Sequence, residues 1–357
     1  MSPMFIPGPV DVNPQVLAAQ TQPMLPHRSQ EFEHLYQRAR HKAQPLFGTL
    51  AQVFIVTSSG TGLQEAAIRN LANNNVLCLV NGAFSARWFE VAKSNGKQAD
   101  HLEVDWGQAI DPQRVADALK GKEYDLITIV HNETSTGVEN PVQEIAAVAR
   151  AVSPDTLICV DAVSSLGGVK IEMDQWDLDM VLTSSQKCLA TPPGLALAAV
   201  SDRALEIARS VPNRGWYFDL VRLHEHLVKD STPATPALSL IYALDMQLDR
   251  ILEEGLEIRF ARHSQMAALV QEWVPKHCKF FAEDGHRSKT VTAISNSLGL
   301  VISDLNQFLT KRQMLIANGY GRLKEKTFRI AHMGETQVTE IETLLAALDE
   351  YIATYQT

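Results

Sequence analysis

The sequence lacks the features that mark a disulfide-bonded, secreted or membrane-spanning protein. It has only four cysteines among 357 residues, and none of them forms a C-x-x-C pair. Cys78 and Cys159 sit in apolar, strand-like runs and are expected to be buried thiols. The first residues show no signal-peptide pattern, and no apolar run approaches the ~18 residues of a membrane-spanning helix. We therefore expect a protein of the reducing cytoplasm with no membrane partner.

Positive charge is also scarce. Lysine and arginine number 32 against 41 aspartates and glutamates, which gives a net charge of −9 and an isoelectric point of about 5.7. This balance argues against nucleic acid or an anionic membrane as the main partner, although it leaves room for local sites that bind small anions. The sequence shows no internal repeat, no cluster of metal ligands and no glycine fingerprint of a nucleotide-binding Rossmann fold after its first strand.

Apolar strands alternate with helical patterns through the first two thirds of the chain. The strands are rich in valine, isoleucine and leucine, which is typical of strands buried on both faces of a sheet. They span residues 53–57, 76–80, 100–104, 126–130, 157–160, 180–183 and 195–200. This alternation predicts an α/β fold with a mostly parallel, seven-stranded, doubly wound sheet. Before these strands, Ser29 is expected to cap a first helix.

The pattern changes after Pro236. Two helical stretches, residues 238–254 and 256–270, are separated by Gly255. They are followed by short candidate strands at residues 290–293, 298–302 and 327–331, and then by an amphipathic helix over residues 338–352. We expect this part to be a smaller α+β domain. The predicted limits are a proline-rich, extended arm over residues 1–15, a large domain over residues 16–250 and a small domain over residues 251–357.

Lys187 is the residue that most strongly indicates chemistry. It follows the apolar residues 180–182 and a small polar cluster at residues 183–186, and a turn at residues 192–194 comes soon after it. A lysine in this place stands at the end of a strand, where open α/β sheets bind their ligands. Because lysine forms Schiff bases with carbonyl cofactors, Lys187 is a candidate for covalent catalysis.

Two other strand ends offer partners for such a cofactor. Residues 54–71 predict a strand, a glycine-containing turn and a helix, so Ser59 and Thr61 at the helix N-terminus can bind a phosphate. A capped turn without a ligand would give the same pattern. Asp161 ends another buried strand, where a carboxylate needs a cationic partner. It either caps the following turn or, beside Lys187, keeps a pyridine nitrogen protonated.

Four further segments supply candidates, each with a purely structural alternative. Thr134 follows a strand and can bond a ring hydroxyl or a phosphate, although its loop can equally be a turn. Phe84 can stack on a flat cofactor ring or pack in the core. Thr232 and Thr235 can reach an anion or cap the long helix. Arg329 can clamp a carboxylate or form a structural salt bridge.

Together these residues make a set suited to pyridoxal phosphate (PLP) and α-amino acids. They lie in motifs that resemble the class V aminotransferases, which are fold-type I PLP enzymes, and within them the alanine–glyoxylate, serine–pyruvate and serine–glyoxylate group. Seven motifs carry the resemblance along nearly the whole chain: SSGTGLQEA, NGAFSARW, HNETSTGV, VDAVSSLGG, SSQKCLATPPG, TPATPALSLIY and FRIAHMG.

The resemblance implies a role for each residue around the cofactor ring. Lys187 would form the Schiff base with PLP and move the proton of the substrate Cα. Asp161 would pair with the ring nitrogen, while Phe84 and Val163 would pack on opposite faces of the ring. Phe84 stands where the best-known relatives carry tryptophan, so it keeps the stacking face but lacks an indole N–H. Arg329 would bind the substrate α-carboxylate.

The resemblance also implies how the remaining cofactor groups are bound. Thr134 would lie near the ring hydroxyl. The segment with Thr232 and Thr235 would reach the phosphate of a neighbouring subunit, which implies a homodimer with shared active sites. Within one chain the phosphate would be held by Ser59, Gly60, Thr61 and Gln186.

The implied activity is PLP-dependent transamination, without a metal, between a small amino acid, alanine or serine, and a 2-oxo acid such as glyoxylate or pyruvate. Two alternatives stay open. The chain could be another class V enzyme, a phosphoserine aminotransferase or a cysteine desulfurase-type lyase, although desulfurases carry a histidine where this chain has Gln186. It could also be a PLP-fold subunit without catalysis, although every expected cofactor group is present.

Overall fold

A computed structural model of the chain describes residues 4–355, so Pro3 of the predicted arm and residues 356–357 of the predicted small domain lie outside the described residues. The strands are Met4–Phe5 (β1), Gln52–Thr57 (β2), Asn75–Val80 (β3), Gln98–Glu103 (β4), Leu126–Val130 (β5), Asn132–Glu133 (β6), Val138–Glu139 (β7), Leu157–Asp161 (β8), Met180–Ser184 (β9), Leu195–Val200 (β10), Lys279–Phe280 (β11), Val291–Ser295 (β12), Leu315–Asn318 (β13) and Thr327–Ala331 (β14). The α-helices are Pro14–Ala19 (α1), Gln30–Phe47 (α2), Gly60–Leu71 (α3), Ala83–Ser94 (α4), Pro112–Gly121 (α5), Val142–Val152 (α6), Asp202–Ser210 (α7), Leu220–Leu227 (α8), Leu238–Glu254 (α9), Leu256–His277 (α10), Ile302–Thr310 (α11) and Val338–Tyr355 (α12).

Seven strands form the large sheet, in the order β2-β10-β9-β8-β5-β3-β4. β10 runs antiparallel to its neighbours β2 and β9, and the other neighbours run parallel. The predicted α/β fold with its mostly parallel, seven-stranded sheet is therefore confirmed. Alternate residues of one strand pack into different apolar layers, as Val53 and Ile55 do on one face of β2 and Phe54 and Val56 do on the other. Burial on both faces explains why inner strands such as β5 and β8 are rich in apolar residues. The edge strand β4 is only partly buried and carries several polar residues.

A second sheet of five strands has the order β1-β13-β14-β12-β11. Its β12 and β14 correspond to the strands predicted near residues 290–293 and 327–331. An apolar core joins this sheet to α10, α11 and α12. The N-terminal segment contributes β1, in which Met4 pairs with Leu315 of β13. The predicted limits of arm, large domain and small domain stay a prediction.

The strand predicted over residues 298–302 is wrong. Gly299 has a positive φ of 67°, and the Asn296 side chain bonds both the N–H and the carbonyl of Leu300, so these residues form a turn. Ile302 then begins α11 and is buried. The apolar run therefore combines a turn with the start of a helix, and it does not alternate across a sheet.

Other local predictions are confirmed. The Ser29 hydroxyl caps α2 by accepting a hydrogen bond from the Phe32 N–H at 3.4 Å. Gly255 separates α9 from α10 with a positive φ of 83°. All four cysteines are free thiols and buried. Within residues 4–355, no helix is both long and apolar enough to span a membrane.

Candidate active site

The carboxyl ends of β5, β8 and β9 open into a cavity with about 590 Å³ of empty space, part of it open to solvent. The N-terminal turns of α3 and α4 close it on the other side. The wall includes nine of the residues predicted from sequence to act on the cofactor or the substrate: Ser59, Gly60, Thr61, Phe84, Thr134, Asp161, Val163, Gln186 and Lys187.

Lys187 reaches into this cavity from the loop that follows β9. Its Nζ donates a hydrogen bond to the Pro7 carbonyl of the N-terminal segment. Burial, followed by repulsion from Arg329, lowers the pKa of Lys187 to about 8. A lowered pKa increases the fraction of neutral amine near neutral pH, and the neutral amine is the form that attacks a carbonyl group.

The N-terminal segment packs directly along the Lys187 side chain. A Cβ atom added to Gly8 would lie 2.6 Å from Lys187 Cδ, and Gly8 has a positive φ of 89°. The Val10 N–H donates to the Gln186 carbonyl at 3.1 Å. Only glycine meets both demands at position 8, so the backbone there is fitted to the lysine.

Asp161 is buried and surrounded by neutral donors. One carboxylate oxygen accepts hydrogen bonds from Gln64 Nε2 at 2.7 Å and from Trp88 Nε1 at 3.2 Å. The other accepts from the Val163 N–H at 3.0 Å. Burial raises the pKa of Asp161, and these three donors oppose that effect. The sequence analysis singled out neither Gln64 nor Trp88, yet both orient this carboxylate.

The N-terminus of α3 offers an anion site. Ser59 precedes the helix in an extended conformation, and its side chain makes no capping hydrogen bond, so the hydroxyl is available to a ligand beside the positive end of the helix. A Cβ atom added to Gly60 would lie 2.6 Å from Val163 Cγ2. Glycine therefore allows the start of α3 to approach Val163 closely.

Phe84 forms one wall of the cavity, and two side chains that the sequence analysis did not single out pack against its ring. Tyr320 stacks on Phe84 with ring centroids 5.0 Å apart. The Arg87 guanidinium lies 5.0 Å from the centre of the Phe84 ring. It donates to the Tyr320 hydroxyl at 3.2 Å and to Thr61 Oγ1 at 3.3 Å. Arg87 follows Phe84 by three residues on α4, so the two side chains share a helix face.

Arg329 lies on β14 of the second sheet and reaches the same region. Its guanidinium donates to the carbonyl of Asn318 through Nε and Nη2 and to the carbonyl of Thr134 through Nη1 at 3.2 Å. Burial lowers the pKa of Arg329 to about 10, which still leaves it charged at neutral pH. Within residues 4–355 it forms no ion pair with a carboxylate, so its charge is available to a ligand.

Thr232 and Thr235 do not join the other predicted residues within one chain. They line a separate, smaller cavity together with Tyr217 and neighbouring residues. The Thr232 hydroxyl donates to the Ala234 carbonyl at 2.9 Å. Neither side chain caps α9, because its N-cap residue is Ala237 and no side chain caps the helix.

The cavity wall has polar atoms that a polar ligand would satisfy. Four of them are buried without a hydrogen-bond partner in the described part of the chain: Gln64 Oε1, Asn132 Oδ1, Ser184 Oγ and Gln186 Oε1. Buried polar atoms are normally paired. With a buried amine, a buried carboxylate, a helix N-terminus and an aromatic face, this donor set fits PLP.

Comparison with known proteins shows to which family this chain belongs. A sequence profile of the class-V aminotransferases matches residues 15–331, which is most of the chain. The chain belongs to the class-V aminotransferase family. It is therefore a PLP-dependent aminotransferase of fold type I. Within residues 4–355, this aminotransferase has no group of three or more histidine, cysteine, aspartate or glutamate side chains placed to hold a metal ion.

Three similar proteins illustrate the match. The L-aspartate–glyoxylate aminotransferase of Paracoccus denitrificans is 34% identical over 347 residues, covering 93% of this chain and 86% of that protein. The serine–glyoxylate aminotransferase of Arabidopsis thaliana is 30% identical over 358 residues, covering 97% and 89%. The crystal structure of an alanine–glyoxylate aminotransferase from Nostoc sp. superposes with a TM-score of 0.91 at 27% identity, covering 98% of this chain and 94% of that one. This class-V aminotransferase is thus similar to such enzymes along its whole length, which favours transamination over a lyase or a non-catalytic subunit.

Proposed function

We propose that this aminotransferase moves the amino group of a small amino acid, alanine or serine, to a 2-oxo acid such as glyoxylate or pyruvate. The observation that carries the proposal is the buried Lys187 in one cavity with Asp161 and Phe84. The names of the three similar proteins agree on glyoxylate and differ in the amino acid. They therefore support the acceptor more strongly than the donor.

We assign the chemical steps to three side chains. When bound, PLP supplies an electron-accepting ring that stabilises negative charge at the substrate Cα. Lys187 would anchor the cofactor covalently. When the substrate has displaced it from the cofactor, the free Lys187 amine would move the Cα proton, a task suited to a base whose pKa is about 8. Asp161 keeps the ring nitrogen protonated. The charged fork of Arg329 binds the α-carboxylate and so orients the Cα–H bond.

We assign the other residues to binding and orientation. Phe84 and Val163 hold the ring between them. The Thr134 hydroxyl, which bonds Ser164 Oγ at 2.6 Å, lies near the ring hydroxyl. The phosphate lies at the start of α3 and is bound by Ser59, Gly60, Thr61 and Gln186.

We further propose a homodimer in which Thr232 and Thr235 face the phosphate of the partner subunit. Thr235 is exposed, and both threonines lie outside the Lys187 cavity of their own chain, which supports a role toward a partner. The proposed location is the cytoplasm, since four buried free thiols suit a reducing compartment. Sedimentation of the purified protein tests the assembly, and a monomer mass with full activity would contradict shared sites.

A panel of donors and acceptors tests the reaction. A true donor would change the absorption of the cofactor-loaded enzyme, so this change is followed with alanine, serine, aspartate, phosphoserine and cysteine, and then with glyoxylate and pyruvate. We expect the largest rates with alanine or serine and glyoxylate. Release of sulfide from cysteine would indicate a lyase, and a protein that binds no PLP would indicate a non-catalytic subunit.

The Lys187→Ala variant is the control for this assay. Removing the covalent catalyst is expected to lower turnover by at least about a thousandfold and to abolish the absorption band of the lysine-bound cofactor. The matched variant Lys170→Ala removes an exposed lysine that pairs with Glu172 at 2.7 Å and should keep wild-type rates. Wild-type turnover by the Lys187→Ala variant would contradict the mechanism.

A further inference from the structure

The residues assigned to the cofactor phosphate leave its charge unbalanced. Ser59, Gly60, Thr61 and Gln186 are all neutral, and the N-terminus of α3 supplies only about half a positive charge. A phosphate ester carries up to two negative charges near neutral pH. A cation close to the phosphate would balance this charge and form strong hydrogen bonds with it. We therefore expect the cavity to offer a cation at its phosphate end if the proposed function holds.

Few cations line the cavity. Within the described residues, its wall contains Lys187 and Arg87 as the positively charged side chains. Lys187 is assigned to the covalent bond with the cofactor, and Arg329 is held by the Asn318 and Thr134 carbonyls on the substrate side. Arg87 is thus the cation that remains for the phosphate.

We propose that Arg87 is a phosphate-binding residue of the cofactor site, which rests on the proposed function of this cavity. Arg87 Nη1 lies 3.3 Å from Thr61 Oγ1, a hydroxyl already assigned to the phosphate. When Thr61 accepts this bond, its own proton is available to donate to a phosphate oxygen. The guanidinium is therefore one hydrogen bond away from the phosphate position.

Arg87 has donors to spare for this contact. Its two hydrogen bonds within the described residues, to Thr61 and to the Tyr320 hydroxyl, go to neutral hydroxyls and are long, at 3.3 and 3.2 Å. A guanidinium has five N–H donors in a planar fork that matches phosphate oxygens. Arg87 forms no ion pair with any carboxylate in residues 4–355, so no internal anion competes for its charge.

The competing explanation is that Arg87 only supports the cavity wall. Its guanidinium lies over the Phe84 ring, and its bond to Tyr320 ties the loop after β13 to α4. That role would act on the whole cofactor through the Phe84 stack. The phosphate role would act only on cofactors that carry a phosphate. The two explanations therefore differ in how they affect PLP and pyridoxal, which share the ring and the aldehyde.

Binding of PLP and of pyridoxal to the full-length protein separates them. The cofactor is removed, and each compound is titrated back while the absorption of the lysine-bound form is followed. We expect Arg87→Gln to weaken PLP binding about 10- to 100-fold, the scale of one charge-assisted hydrogen bond, and to leave pyridoxal binding unchanged. Arg87→Lys keeps the charge but loses the fork, so it should lose less affinity for PLP than Arg87→Gln does.

Arg312 provides a matched control. Its guanidinium lies 3.7 Å from the centre of the Phe308 ring, so it packs on an aromatic ring as Arg87 does. Phe308 lies on α11 and Arg312 just after it, and neither lines the Lys187 cavity. Arg312→Gln should therefore leave both affinities unchanged. Equal losses of PLP and pyridoxal binding in Arg87→Gln would overturn the proposal in favour of the wall role, and unchanged affinities would overturn it as well. A wild-type protein that binds PLP no better than pyridoxal would instead overturn the proposed phosphate site.

Discussion

Replacing Glu133 by glutamine tests how the aromatic wall of the cavity is held. The Glu133 side chain is fully buried, at the end of the short strand β6. Its Oε2 accepts hydrogen bonds from the Phe84 and Ser85 N–H groups and the Ser85 hydroxyl at 2.8–3.1 Å. Its Oε1 accepts from the N–H and hydroxyl of Ser135 at 3.1 and 2.6 Å, and it shares the Phe84 N–H at 3.3 Å. Gly82 makes room for it, because a Cβ there would lie 2.3 Å from Glu133 Cγ and Cδ. The carboxylate therefore fixes the start of α4, and with it Phe84.

The expected loss of folding stability follows from the N–H and O–H donors whose hydrogen bonds glutamine cannot accept. A glutamine keeps one oxygen, so its NH₂ group must face either Ser85 or Ser135. The backbone N–H groups of those residues are fixed, which leaves at least one buried donor unpaired at a cost of about 1–3 kcal/mol. Loss of the negative charge at the N-terminus of α4 adds roughly 1 kcal/mol. We expect Glu133→Gln to lower the free energy of unfolding by about 2–4 kcal/mol and to weaken PLP binding.

Urea unfolding followed by tryptophan fluorescence measures this loss, and Trp88 on α4 reports from beside the changed site. Glu283→Gln is the matched control, because Glu283 is exposed and accepts one backbone hydrogen bond, from Ala109 at 2.5 Å. It should change the free energy of unfolding by no more than about 0.5 kcal/mol. The reasoning is refuted if the two variants unfold at the same urea concentration.

Two further predictions concern Lys187. Gly8→Ala should weaken PLP binding, measured by titration, about tenfold or more, because the added Cβ would meet Lys187 Cδ at 2.6 Å. Gly285→Ala is the control for backbone strain, because Gly285 has a similar φ of 81° and no atom lies within 4 Å of an added Cβ. Equal losses of PLP binding in the two variants would contradict the contact between residue 8 and Lys187. The rate at which PLP attaches to the cofactor-free protein should rise with pH and level off above about pH 8, because burial and then Arg329 lower the pKa of Lys187 to about 8. Arg329→Gln should move that midpoint upward, and a wild-type midpoint near the ordinary lysine value of about 10.4 would contradict the lowered pKa.

The parts of the fold that the sequence predicts well are those with local signals. The strands that end at the cavity, β5, β8 and β9, are buried, largely apolar runs that end at polar residues, so their limits and their functional ends are visible in a short window. Lys187 and Asp161 were identified for that reason, since each stands at such an end. Gly255 likewise marks its helix boundary through its own backbone conformation.

The parts that the sequence does not predict depend on distant contacts. Gly8 meets Lys187 across about half of the length of the chain. Tyr320 reaches Phe84 from a loop after β13, a strand without a clear apolar run. Residues 298–302 look apolar enough for a strand, but the turn at Gly299 depends on one asparagine side chain. Only Arg87 had a usable signal, because it lies three residues after Phe84 and so on the same face of α4.

The two guanidinium groups near Lys187 also bear on the order of events at the site. Arg329 and Arg87 both lower the pKa of Lys187, while Asp161 raises it. A bound phosphate beside Arg87 and a bound carboxylate beside Arg329 would each cancel one positive charge, so both ligands should raise that pKa. The phosphate arrives on the same molecule as the aldehyde, so the charge of Arg329 is the one that still favours the neutral Lys187 amine when it attacks the aldehyde. The amine would become the stronger proton acceptor once the substrate carboxylate has bound beside Arg329, when the proton of the substrate Cα has to be taken up.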